Sequence, residues 1–238
     1  MKRFAMFCLM TVLCVQTSAG GGDKPAEDPA ATKLLREARA ARADWPDFPG
    51  FSADVTVNNG GKISKGKVEV SATGKVKLEL ADKDEAGWVR REIASLVSHR
   101  LPSESSKPTP CAFVGKDAEH PSGRAIRVLA DEMHSGYRVR DRQILEVNRQ
   151  MGDIRFTITV LENVVTKEKK FLPTAYVVNT WDLKSKELKS GRSYHHRWKR
   201  MGSLDLPEAV TIVTGTPGRL EVQEITFSNL KLRESGAR

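Results

Sequence analysis

Two adjacent histidines stand in "RSYHHRWKRMGS", Arg192 to Ser203, among four cationic side chains, a tyrosine and a tryptophan. Imidazole exchanges protons near neutral pH and ligates metals readily, so the stretch raises metal binding, acid–base catalysis or a grip on phosphates. A strand through it sends Tyr194, His196, Trp198 and Arg200 to one face and Ser193, His195, Arg197, Lys199 and Met201 to the other. Imidazoles on opposite faces do not chelate one ion, and His99, His120 and His134 lie in separate segments without ligand spacing. The expectation is a half-buried sheet surface on the Tyr194–Trp198 side with solvated cations behind it. No metal, cofactor or catalytic residue is assigned.

Other chemistry-bearing clusters read in the same way. "DEMHSG" brings Asp131, Glu132 and His134 together, but between two strands it is a polar connection. No serine sits in a G-x-S-x-G elbow, and neither "GGGD" nor "GTPG" has the lysine and helix of a phosphate loop. Cys111, before "AFV", is expected to be a small buried hydrophobe. No carboxylate pair can be singled out among 30 acids.

The elements that must position these groups begin after a leader. Lys2 and Arg3 precede an apolar run from Phe4 to Val15 and then "QTSAG", with small residues at Thr17 and Ala19. This is the pattern of a secretory signal peptide over 1–19, cleaved after Ala19, its apolar run being short of the ~20 residues that span a bilayer. The expected location is periplasmic or secreted. Cys8 and Cys14 lack the small preceding residues of a lipidation site and leave with the leader, so Cys111 alone cannot form an internal disulfide. Losing Lys2 and Arg3 takes the formal charge from +9 to +7. In an exported chain that balance points away from nucleic acid and toward transient contact with anionic membrane surfaces.

Residues 20–29 read as a flexible linker and 30–238 as one domain. A helix capped by Asp28 or Thr32 is expected to run to about Trp45, with Leu34, Ala38, Ala41 and Trp45 on one stripe, and to stop at "WPDFPG". A second spans Glu85 to about His99, with Trp88, Val89, Ile93, Leu96 and Val97 at helical spacing. It is expected to pack on a sheet, while Arg90, Arg91 and Arg100 offer contact with a membrane surface. About a dozen segments alternate or carry strand composition, from "FSADVTVN" to the closing Leu220–Leu230, and turn residues separate nearly all of them. Connections this short exclude parallel crossovers. The fold class is α+β, mostly antiparallel β: a curved sheet or half-barrel of about 10–12 strands, with two helices packed on or plugging its concave face.

The blocks "FPGFSADVTV", "GKVEV", "WVRREIASLVSHR", "YRVRDRQILEVNR", "FTITVLEN", "LPTAYVVNTWD" and "EVQEITFSNLKL", in this order, resemble the bacterial and plastid family known as domain of unknown function 3386, over roughly Lys33 to Leu232. The resemblance implies a fold and brings no catalytic residues with it. More loosely, the order of elements is similar to the half-barrel of periplasmic lipoprotein carriers of the LolA and LolB type, which implies a concave face that shelters acyl chains.

The functional expectation is an exported binding or carrier protein for an apolar, lipid-like ligand. Its lining is expected from Phe51, Val55, Val76, Leu78, Trp88, Phe156, Ile158, Trp181 and Trp198. An envelope hydrolase with convergent acids and histidines, and a non-catalytic interaction protein with a filled sheet, are the alternatives. The ligand and the oligomeric state are left open.

Overall fold

The computed structural model describes residues 26–102, 109–115 and 119–234. The expected signal peptide, and residues 20–25 of the expected linker, lie outside them. The end of that linker is structured: the Asp28 carboxylate accepts from the N–H groups of Ala30 (2.8 Å) and Ala31 (3.3 Å) and so caps α1 (Pro29–Ala40). Proline at the first position costs nothing, since its missing N–H would be unpaired there.

Helix α1 stops earlier than its periodicity suggests. The Phe171 N–H donates to Ala41 O (2.8 Å) and the Ala43 N–H to Phe171 O (2.9 Å), drawing the chain into an extended bridge. Tertiary backbone partners thus replace helical ones before Trp45. The buried stripe is Ala31, Leu35 and Ala38, and Trp45 enters a different part of the core, its Nε1 donating to Asp205 O at 3.0 Å.

The strands are β1 (Gly50–Asn59), β2 (Lys62–Ser71), β3 (Val76–Leu80), β4 (Cys111–Phe113), β5 (Arg124–Val128), β6 (Gly136–Arg140), β7 (Gln143–Met151), β8 (Ile154–Val165), β9 (Phe171–Asp182), β10 (Leu188–Met201), β11 (Leu204–Thr216) and β12 (Arg219–Leu232), with α2 (Lys83–Ser98) between β3 and β4. They form one 12-stranded sheet in the order β3-β2-β1-β12-β11-β10-β9-β8-β7-β6-β5-β4, with every pair antiparallel. The sheet is curved and open: β1 pairs with β12, leaving β3 and β4 as edges. The β4 edge is blunted by α1, since Asp28 N–H donates to Cys111 O (2.7 Å) and Cys111 N–H to Thr32 Oγ1 (3.0 Å).

Register shows which side chains share a face. Val57 pairs with Ile225, Ile225 with Val210 and Val210 with His196. Tyr194, two residues from His196, pairs with Tyr176, and the line continues from Val178 through Ile158, Val147 and Tyr137 to Ile126. Both helices pack on this inner face, at opposite ends. Helix α2 lays Val89, Ile93 and Val97 into a cluster with Phe51, Val55, Val57, Val68 and Val70. Helix α1 lays Ala31, Leu35 and Ala38 against Cys111, Ile126, Tyr137 and Val139 in a second cluster. A twisted sheet this wide is longer than two short helices can cover, so two separate cores form.

Arg100, expected at a membrane-facing surface, is 7% exposed and donates from Nη1 to Ala43 O at 3.0 Å. It ties the end of α2 to the segment that leaves α1. No helix among the described residues is long and apolar enough to cross a membrane.

Candidate functional site: a trough between the two cores

Between the helix-covered ends, Phe156, Ile158 and Val160 on the inner face of β8 belong to neither core, while Val147 packs at the edge of the α1 cluster and Tyr176, Val178 and Trp198 at the edge of the α2 cluster. Val147, Phe156, Ile158, Val160, Tyr176 and Val178 all belong to this face by register and are half-buried. One side of an antiparallel sheet is ordinarily packed and the other wet; here the middle of the packed side stays partly open. The result is a shallow apolar strip, the floor of a trough between the two helix-covered cores.

A stack of rings bounds it on the α2 side. Tyr176 lies parallel to Tyr194 with centroids 4.7 Å apart, and His196 is 5.4 Å from Tyr176 and 5.3 Å from Trp198. Hydrogen bonds pin its ends: Trp198 Nε1 donates to Pro173 O (3.0 Å), and the Tyr194 hydroxyl donates to Glu92 of α2 (3.4 Å). Burial pushes the Glu92 carboxyl up from its ordinary range, against the opposing pull of Arg192 and Tyr194. Burial also raises the Tyr176 hydroxyl, helped by Tyr194 and Glu92.

His196 is buried and His195 exposed, as strand alternation requires. Burial, with Arg100 and His195 nearby, lowers the His196 imidazole to about 4, so it is neutral at ordinary pH. Its Nε2 lies 3.3 Å from the Tyr176 hydroxyl, and its buried Nδ1 has no hydrogen-bond partner among the described residues. The second polar cluster is a turn: the Asp131 carboxylate accepts from the N–H groups of Met133 (3.2 Å) and Ser135 (2.8 Å), and His134 has φ 46°. Cys111 is buried, which pushes its thiol up and away from reactivity.

The expected lining residues divide into three groups. Phe156, Ile158 and Trp198 do lie on or beside the trough. Phe51 (0% exposed) and Val55 (1%) are sealed under α2, and Val76, Leu78 and Trp88 pack against the same cluster. Phe51 and Val55 are core, and the half-buried Val76, Leu78 and Trp88 stand at the β3–α2 edge of that core, away from the β7–β10 strip. Trp181 is on the outer face: it pairs with Arg155, while Phe156 pairs with Thr180. The Arg155 guanidinium sits 6.0 Å from its ring centroid. Its odd spacing from Val178 turns it away, because side chains alternate along a strand.

Sequence reasoning missed Val147, Val160 and Val178 on the floor, Tyr176 in the ring stack beside it, and Arg39, Arg42, Arg100 and Arg149 near its α1 end. "AYVVNTW" is apolar at both parities, so alternation does not choose a face there. Arg149 did leave a signal, since it shares sequence parity with Leu145, Val147 and Met151 on β7.

An open, single-sheet antiparallel fold with two helices on one face and an apolar trough between them defines the class. The chain belongs to the family described as "Protein of unknown function (DUF3386)", whose model matches residues 26–233. No curated protein matches it. Among solved structures it is similar to a LolA superfamily protein from Nitrosomonas europaea (12% identity, 86% of this chain and 94% of that one, TM-score 0.31). It is also similar to a DUF1329 family protein from Desulfovibrio piger (9% identity, 90% and 96%, TM-score 0.31). A third likeness is to the MucA/MucB complex structure of Pseudomonas aeruginosa (13% identity, 87% and 95%, TM-score 0.21).

Proposed function

We propose that this protein is an exported binding or carrier module that shelters the apolar chain of a lipid-like ligand in the trough between its two cores. The observation that supports this reading is the half-buried floor of Phe156, Ile158, Val160 and Val178, bounded by the Tyr176–Trp198 ring stack. A protein with nothing to bind gains by sealing such a strip, since burial is worth about 25 cal/mol per Å² of apolar surface. An alkyl chain laid along it completes the burial that the chain itself leaves undone.

Each buried methylene contributes about 0.8 kcal/mol, so partial cover of a chain of about a dozen carbons gives several kcal/mol before the cost of association. No catalytic residue is required. Export follows from the leader pattern and is part of the proposal.

Native mass spectrometry with lipid extraction, on protein purified from its own envelope, tests this reading. Co-purifying lipid, and a higher melting temperature on adding fatty acids or phospholipids, are expected. No lipid and no thermal shift would sink it.

A further inference from the structure

Four arginines from distant segments converge at the α1 end of the trough. Arg39 and Arg42 come from the end of α1 and the residues after it, Arg100 follows α2, and Arg149 lies on β7. They feel one another: burial, and then Arg39 and Arg149, lower the Arg42 guanidinium, while burial and Arg42 bring Arg100 down to about 10. His99 is lowered by burial and then by Arg42, Arg100 and Arg149.

Their hydrogen bonds go to neutral acceptors. Arg42 Nη2 donates to His99 O (3.0 Å) and Arg100 Nη1 to Ala43 O (3.0 Å). Arg39 Nη2 (3.4 Å) and Arg149 Nη2 (3.2 Å) both donate to the Tyr137 hydroxyl, and the buried Arg149 Nε has no hydrogen-bond partner among the described residues. Among the described residues none of the four is within ion-pair distance of a carboxylate. Asp44 acts on Arg42 and Arg100, and Asp131 on Arg149, only from beyond ion-pair distance; like charges that outnumber their counter-charges destabilise a fold, whereas an oxyanion placed among them recovers that cost.

There is room for one. A cavity of about 300 Å³ opens here, lined by Arg39, Thr109, Asp131, Ser135, Tyr137 and Arg149 among others. The Asp131 carboxylate is engaged by the backbone N–H groups of its own turn. The cavity adjoins the trough, because Arg149 is the cross-strand partner of Phe156.

We propose that Arg39, Arg149 and the Tyr137 hydroxyl, backed by Arg42, form a subsite for the oxyanion head, phosphate or carboxylate, of an amphiphile whose chain lies on the Phe156–Ile158 floor. The chain half of this statement rests on the function proposed above; the anion half rests on the arginines. Planar guanidinium forks suit such oxygens, and charge-assisted hydrogen bonds are the strong ones.

The test is equilibrium binding of dodecyl phosphate, a neutral dodecyl glycoside and inorganic phosphate to the full protein and to R149Q, R39Q and R149K, with melting curves for each variant. Dodecyl phosphate is expected to bind at least about tenfold tighter than the glycoside. R149Q and R39Q should erase that preference and leave glycoside affinity unchanged, and R149K should keep part of it. Arg39 is exposed, so R39Q reports even if R149Q folds poorly. Equal affinity for the two dodecyl ligands, or a preference untouched by both Gln variants, overturns the subsite, as does equal weakening of both ligands. Arg149-dependent binding of inorganic phosphate with no alkyl affinity keeps the subsite and removes the chain-shelter reading; alkyl affinity without head preference does the reverse.

Discussion

Tyr176 on β9 and Tyr194 on β10 face each other as cross-strand partners, their rings 4.7 Å apart at the centroids and 13° from parallel. Tyr194 belongs to the sealed core under α2 and Tyr176 to the rim of the trough. The open strip and the closed core therefore share one wall, and whatever loosens the ring stack acts on both.

Trp198→Ala removes the end of that wall and the hydrogen bond to Pro173 O. The ring is only partly buried, so a loss of about 2 kcal/mol is expected, below the 3–5 typical of full burial. Urea unfolding measures it. Trp198→Phe should recover much of the stability, while retaining less than the wild-type affinity for an alkyl probe.

His196 links stability to pH. Its folded-state value of about 4 lies below the ordinary 6.5, so the unfolded chain binds the proton more readily. The contribution is fully present above about 6.5 and is lost as pH falls from there toward 4, at full effect roughly 3 kcal/mol. His196→Phe should flatten the stability profile across that window relative to wild type, whereas exposed His195→Gln should leave it unchanged. Urea midpoints at pH 7.5, 6, 5 and 4.5 decide this.

Glu85 is 4% exposed on the buried stripe of α2, and neither carboxyl oxygen has a hydrogen-bond partner among the described residues. Glu85→Leu keeps the helix and relieves an unsatisfied polar group, so a gain of about 1–3 kcal/mol is expected. A lower urea midpoint in the variant would show that the carboxyl is stabilising where it stands.

Ile158 and Thr159 are neighbours on opposite faces of β8, which separates binding from folding. Ile158→Glu should cut affinity for an alkyl probe about tenfold or more, because it puts a charge on the floor of the trough. Thr159→Glu should leave that affinity within about twofold. Titration with a fluorescent fatty acid, alongside melting curves, gives both numbers; equal effects at the two positions would argue against the trough.

The sequence by itself determined the two helices, a count of about 10–12 strands, the antiparallel pairing and the splitting of His195 from His196. All follow from local period, turn chemistry and connection length. The end of α1 was not legible, because the hydrogen bonds that stop it come from Phe171, 130 residues on from Ala41. The lining was legible only in part: Phe156 and Ile158 stand on a strand near the middle of the sheet, while equally apolar Phe51 and Val55 are sealed by α2. Composition cannot separate an open apolar side chain from a covered one; only the reach of the helices across the sheet decides that. The arginine cluster was invisible for the same reason, since Arg39, Arg42, Arg100 and Arg149 become neighbours only once α1 meets β7 and the end of α2 is tied to the segment that leaves α1.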